Sequence, residues 1–83
     1  MEMTKKTTAA LNKQMNLELE SAHAYLAMAG YFEEENLTGM ASWMKKQAQE
    51  EIEHGMKLFT YISDRGASVK LEDIKAAKAN WKT

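Results

Sequence analysis

At 83 residues the chain is one domain at most, and so short a chain has little core for its surface, so a partner is expected. Its 11 basic and 12 acidic residues, net charge -1, are spread along the sequence and leave no electrostatic footprint for nucleic acid or an anionic membrane surface. Cysteine is absent, which excludes disulfides and thiolate ligands and leaves oxygen and imidazole to hold any metal.

The opening MEMTKKTTAAL is followed by no apolar segment of a secretory signal, and no stretch is long enough to span a bilayer, so a soluble, cytoplasmic protein is the expectation. From about Thr8 to about Glu35 there is no proline and one interior glycine, Gly30, which predicts a long helix capped by Thr7 or Thr8. Leu11, Glu18, Tyr25 and Phe32 recur at sevens beside Met15, Ala22 and Ala29, making a stripe of the helix-bundle kind with an acid in it. Asn36 to Gly39 reads as a short connection, with Asn36 in a left-handed conformation and Thr38 capping a second helix.

That second helix runs from about 38 to 65. Its stripe passes through Met44, Glu51 and Leu58, flanked by Met40, Ala41, Ala48, Gly55 and Ile62 on one side and by Gln47, His54 and Tyr61 on the other. Arg65-Gly66 is the expected stop. In the tail from 66 to 83, Ala67 to Ile74 looks extended, and Lys75 to Asn80 reads as a surface connection or a short helix. The fold class is therefore all-α, a long antiparallel αα-hairpin with a tail.

Antiparallel helices joined by a short loop bring residues equidistant from it together. Glu18 precedes Asn36 by about as many residues as Glu51 and His54 follow it, so at ~1.5 Å of rise per residue all three lie roughly 25 Å from the loop. Glu51 and His54, three apart, share one helical face and can serve one ion. Carboxylate with imidazole suits iron, manganese or zinc. A Glu-x-x-His string alone is common on solvated helices, but ionisable groups at matched depth inside apolar stripes would be an unexplained desolvation cost without a metal.

Other residues weigh less from spacing alone. Tyr25 is most simply core, with a hydroxyl able to reach a metal-bound carboxylate. Glu50 is turned about 100° from Glu51 and reads as solvated. His23 falls on the far side of the first helix and reads as a surface residue. The seven methionines look like pliable core filling, and Glu33, Glu34 and Glu35 like exposed acids at a helix end.

The segments LNKQMNLELESAHAYLAMAGYFE and GMASWMKKQAQEEIEHGMKLFTYISDRG closely resemble the first two helices of prokaryotic non-haem ferritin, and VKLEDI with Asn80-Trp81 resembles the start of that family's long crossover. The resemblance implies a four-helix-bundle iron-storage protein that oxidises Fe(II) with dioxygen at a di-iron ferroxidase centre and deposits ferric mineral in a cage. Glu18 is similar to the terminal carboxylate of the first iron site, Glu51 to the bridging carboxylate and His54 to the imidazole ligand. Glu50 looks like the contribution to an accessory third iron site, and Tyr25 like the tyrosine beside the centre. Glu20 stands where an aromatic is often found. Family members continue into two more long helices that supply the remaining ligands, whereas this sequence stops at Thr83.

Two arrangements would complete the bundle: a homodimer or larger homo-oligomer, with a symmetric di-iron site, or a complementary ferritin half on another polypeptide. The expected chemistry is oxidation of bound Fe(II), with zinc or manganese as other occupants. The alternative from a different class is a non-catalytic helical association module, in which the acids pair with lysines or stay hydrated.

Overall fold

The computed structural model describes residues 3–77. Two helices make the fold: α1, Lys5–Glu34, and α2, Thr38–Asp64. They lie side by side in a rod of 51 × 21 × 12 Å. Its thinnest dimension is about that of one helix with its side chains, ~10–12 Å, so the hairpin is a single layer.

Helix α1 begins three residues before the expected start. Thr4, in an extended conformation, accepts a hydrogen bond at Oγ1 from the amide of Thr7 at 3.1 Å. The cap therefore comes from the earlier threonine, and Thr7 and Thr8 lie inside the first turns. Both helices end the same way. Asn36 (φ 60°) and Gly66 (φ 74°) take the left-handed conformation. The amides of Leu37 and Ala67 then reach back five residues, to Phe32 O at 2.8 Å and Ile62 O at 3.2 Å. These are the bonds of a Schellman turn, which satisfies carbonyls a helix end would otherwise leave unpaired. Two residues after Asn36 the chain is already helical again. Leu37 occupies the capping position of α2 without a side-chain bond, and Thr38, the expected cap, is the first helical residue.

The seam between the helices is built from small side chains at sevens. Met15, Ala22 and Ala29 of α1 and Ala41, Ala48, Gly55 and Ile62 of α2 are buried. Small residues let two helix axes approach closely, and at Gly55 the opposite helix leaves little room for a side chain. A Cβ there would stand 3.1 Å from Leu19 Cδ2 and 3.8 Å from Glu18 Cβ. In a single layer the neighbouring rows remain only half covered. Glu18, Tyr25, Phe32, Met44, Glu51 and Leu58 are half-buried, while Met40 and Tyr61, expected beside the core, are exposed at 47% and 44%. Methionine likewise fills the core at Met15 but not at Met40 or Met56.

Residues 67–77 form neither helix nor strand, and two asparagines hold Ser68 to Glu72 against α1 in the manner of an extended segment. Asn12 donates from Nδ2 to Ser68 O at 2.9 Å and accepts at Oδ1 from Lys70 N at 2.8 Å. Asn16 repeats the pattern one turn on, donating to Lys70 O at 2.9 Å and accepting from Glu72 N at 2.9 Å. The periods agree: four helical residues rise ~6 Å, and two extended residues rise ~6.6 Å. A carboxamide, with donor and acceptor on one planar group, can replace the partner strand that the extended segment lacks. The helix considered around Lys75 to Asn80 is not formed through residue 77, and Asn80 and Trp81 lie outside the described residues.

Candidate metal centre

Glu18 comes from α1, and Glu51 and His54 from α2, at the level where Gly55 lets the two helices meet. His54 Nδ1 lies 3.6 Å from Glu18 Oε2 and 3.7 Å from Glu51 Oε2. Both distances are too long for hydrogen bonds. They approach the spacing of ligands around an ion: donors each ~2.1 Å from a common metal stand roughly 3.0 Å apart at a right angle and roughly 3.4 Å apart at the tetrahedral angle. One ligand atom from each of the three residues can be chosen so that all lie within 4.8 Å of one another.

The electrostatics carry the mark of two acids pressed together. Glu51 is held above the ordinary carboxyl range, first by its hydrogen bond to the Glu18 carboxylate, then by desolvation and by the Glu18 charge. Glu18 is held below it, chiefly as the acceptor of that bond, with further help from Gln14 and His54 against an opposing desolvation. The pair thus favours holding one proton between its two carboxyls. Gln14 fixes the first carboxylate, donating from Nε2 to Glu18 Oε1 at 3.0 Å across one helical turn. His54 is more open than an imidazole in a closed core, its side chain being 54% exposed against 19% for Glu18 and 22% for Glu51.

The other residues singled out by sequence fall around this group without joining it. Tyr25 is half-buried, seven residues along the row from Glu18. Glu50 is exposed and outside the ligand group, as is His23 on the far side of α1. Two contributors escaped the sequence reading. Gln14 stands four before Glu18, a spacing that favours side-chain bonding and was legible. Gly55 was counted as a stripe residue, but its role in the close approach needed the opposite helix.

A family model described as "Ferritin-like domain" matches residues 8–83. The chain belongs to that ferritin-like family. Among curated relatives it is 47% identical to a bacterial non-heme ferritin of Staphylococcus epidermidis over 79 residues, covering 95% of this chain and 48% of the relative. The bacterial non-heme ferritin of Staphylococcus aureus is 43% identical over the same length, with the same coverage. An open-pore ferritin from the hyperthermophilic archaeon Archaeoglobus fulgidus superposes with a TM-score of 0.91 at 42% identity, over 98% of this chain and 49% of that one. A humanized archaeal ferritin superposes at 0.93 with 43% identity, over 99% and 50%. The chain thus spans about half the length of the ferritins it matches. Its all-α hairpin is half of a ferritin-like four-helix bundle. No helix among the described residues is long and apolar enough to cross a membrane.

Proposed function

We propose that the chain supplies one half of an iron-oxidising, iron-storing four-helix bundle, with Glu18, Glu51 and His54 as the ligands of Fe(II). The observation that carries the reading is the His54 imidazole standing 3.6 and 3.7 Å from two carboxylates, close to coordination spacing, in a chain of the ferritin-like family. Iron is substrate and cargo here. Carboxylate ligands stabilise the ferric more than the ferrous ion because they bring negative charge, so binding favours loss of one electron per iron to dioxygen. Glu51 is assigned the role of carboxylate bridging two ions, by its likeness to the bridging acid of the family. In this reading Tyr25, on the same row of α1 as Glu18, is the tyrosine of the centre, and Glu50 would offer its exposed carboxylate to a further iron. The working form is an oligomer that completes the bundle, in the cytoplasm, where the absence of a membrane-crossing helix among the described residues agrees.

The test is to load the anaerobic protein with Fe(II), admit oxygen and follow the rise of ferric absorbance. The parent should oxidise iron well above the rate in buffer. Glu51→Ala should fall to the buffer rate while keeping its helical circular dichroism. Oxidation by that variant at the parent rate refutes the assignment.

A further inference from the structure

The site face of the hairpin combines two opposed demands. One row of α2 is Met40, Gln47, His54 and Tyr61, and the row beside it holds Met44, Glu51 and Leu58; across from them α1 presents Glu18, Tyr25 and Phe32. The large apolar members favour being covered. The carboxylates at the centre oppose it, since a charge buried without a counter-charge loses its hydration with nothing to replace it. The tail does not settle the matter. It docks on Asn12 and Asn16, and Asn12 is turned about 100° round α1 from Leu11, away from the row that carries Glu18.

We propose that a divalent cation drives self-association through this face, a second copy of the chain being the occupant. The inference rests on the metal-binding reading above. A two-metal carboxylate centre in a four-helix bundle takes a Glu from each of two helices and a Glu-x-x-His from each of the other two. The hairpin carries one of each, Glu18 on α1 and Glu51 to His54 on α2, on facing helices. A twofold axis through the site generates the remainder from the same residues, and a twofold contact closes on itself without leading to a filament. Without metal the axis sets the carboxylates of one copy against those of the other, and the faces stay apart. With metal the same carboxylates become shared ligands, and Met40 and Tyr61 lose their water. The site of a lone chain is incomplete, because Glu18, Glu51 and His54 leave coordination positions that the other copy fills. Metal binding and association are therefore one linked equilibrium.

Zinc tests this without iron's redox chemistry. The 9.4 kDa chain is sedimented in chelator and with one equivalent of Zn(II), while zinc affinity is read by competition with a chromophoric chelator. Zinc should convert monomer to dimer and tighten association on the order of 100-fold. Glu51→Ala should abolish both zinc binding and association. Met40→Lys, which removes no ligand, should keep the helical signal, stay monomeric and bind zinc more weakly. Tight zinc binding by a chain that remains monomeric overturns the inference and leaves the metal site standing. A dimer indifferent to chelator overturns the coupling. Absence of zinc binding removes both the inference and the site.

Discussion

Replacing Asn16 by alanine separates the docking of the tail from the stability of the hairpin. The substitution deletes the bond to Lys70 O and the bond from Glu72 N, both at 2.9 Å, along with a bond from Nδ2 to Asn12 O at 2.8 Å within α1, whose acceptor keeps its helical backbone bond. Each such bond contributes ~0.5–1.5 kcal/mol net, so the segment should lose about 1–3 kcal/mol of docking free energy. Its freed groups rehydrate, because Lys70 and Glu72 are exposed, and no larger burial penalty is added. Alanine is at the same time the better helix former, by up to ~0.7 kcal/mol, so α1 itself should not weaken. Amide hydrogen exchange resolves the two effects. The Glu72 amide should exchange roughly 5- to 150-fold faster in Asn16→Ala, while amides at the α1·α2 seam keep their protection. Asn12→Ala should instead act first on Lys70 N, its own acceptor's donor at 2.8 Å. Unchanged exchange at Glu72 in the Asn16 variant would refute the ladder as the device that holds the tail.

Gly55→Ala should be tolerated within about 1 kcal/mol in a denaturant melt, since better helix propensity offsets a Leu19 side chain that must give by a few tenths of an ångström. Gly55→Val should cost ~1–3 kcal/mol by overpacking and weaken metal binding by prising α1 away at Glu18; equal stability of the two variants would contradict the close-approach account. The shared proton gives a pH signature in the metal-free protein. Glu51, raised in the folded chain, contributes stability that is complete below its unfolded pKa and is lost as pH rises through its folded one. Glu18, lowered, contributes the opposite way, losing its share as pH falls through its own folded value. Urea melts in chelator should therefore show stability declining above the usual carboxylate range, and Glu51→Gln, with no proton to lose, should flatten that decline. An identical profile in the variant would mean that no proton is shared.

The sequence pattern was most legible where one helix sufficed to read it. Rows at sevens found the face but centred it on Leu11, Glu18, Tyr25, Phe32 and on Met44, Glu51, Leu58, whereas the seam runs through the adjoining rows of Ala22, Ala29, Ala48 and Gly55; left-handed ends were readable at Asn36 and Gly66 because few residues adopt positive φ. The convergence of Glu18, Glu51 and His54 followed from loop position and helical rise alone. Rules at helix starts were weaker guides. The run Thr4-Lys5-Lys6-Thr7-Thr8 offers three capping hydroxyls, and only the conformation of Thr4 chooses among them. Asn12 and Asn16 were invisible for another reason: asparagine on a helix ordinarily reads as solvated, and its partners here lie 54 to 58 residues along the chain. Met40 and Tyr61 were expected beside the core because periodicity marks a face as apolar without saying which molecule covers it.

The asparagine ladder also fixes a direction of travel. Ser68 lies beside Asn12 and Glu72 beside Asn16, so the tail climbs parallel to α1, from the far end of the hairpin toward its loop. The eleven residues from 67 to 77 reach at most ~36 Å when extended, and the thirty of α1 span ~45 Å. A stretch of that length, kept extended along α1, would thus traverse most of the hairpin. A twofold axis perpendicular to the rod would set the first residues of a second hairpin near the loop of the first. A covalent tandem of two hairpins joined through such a tail would turn an encounter between two molecules into a fold within one. Its effective concentration would make assembly independent of dilution.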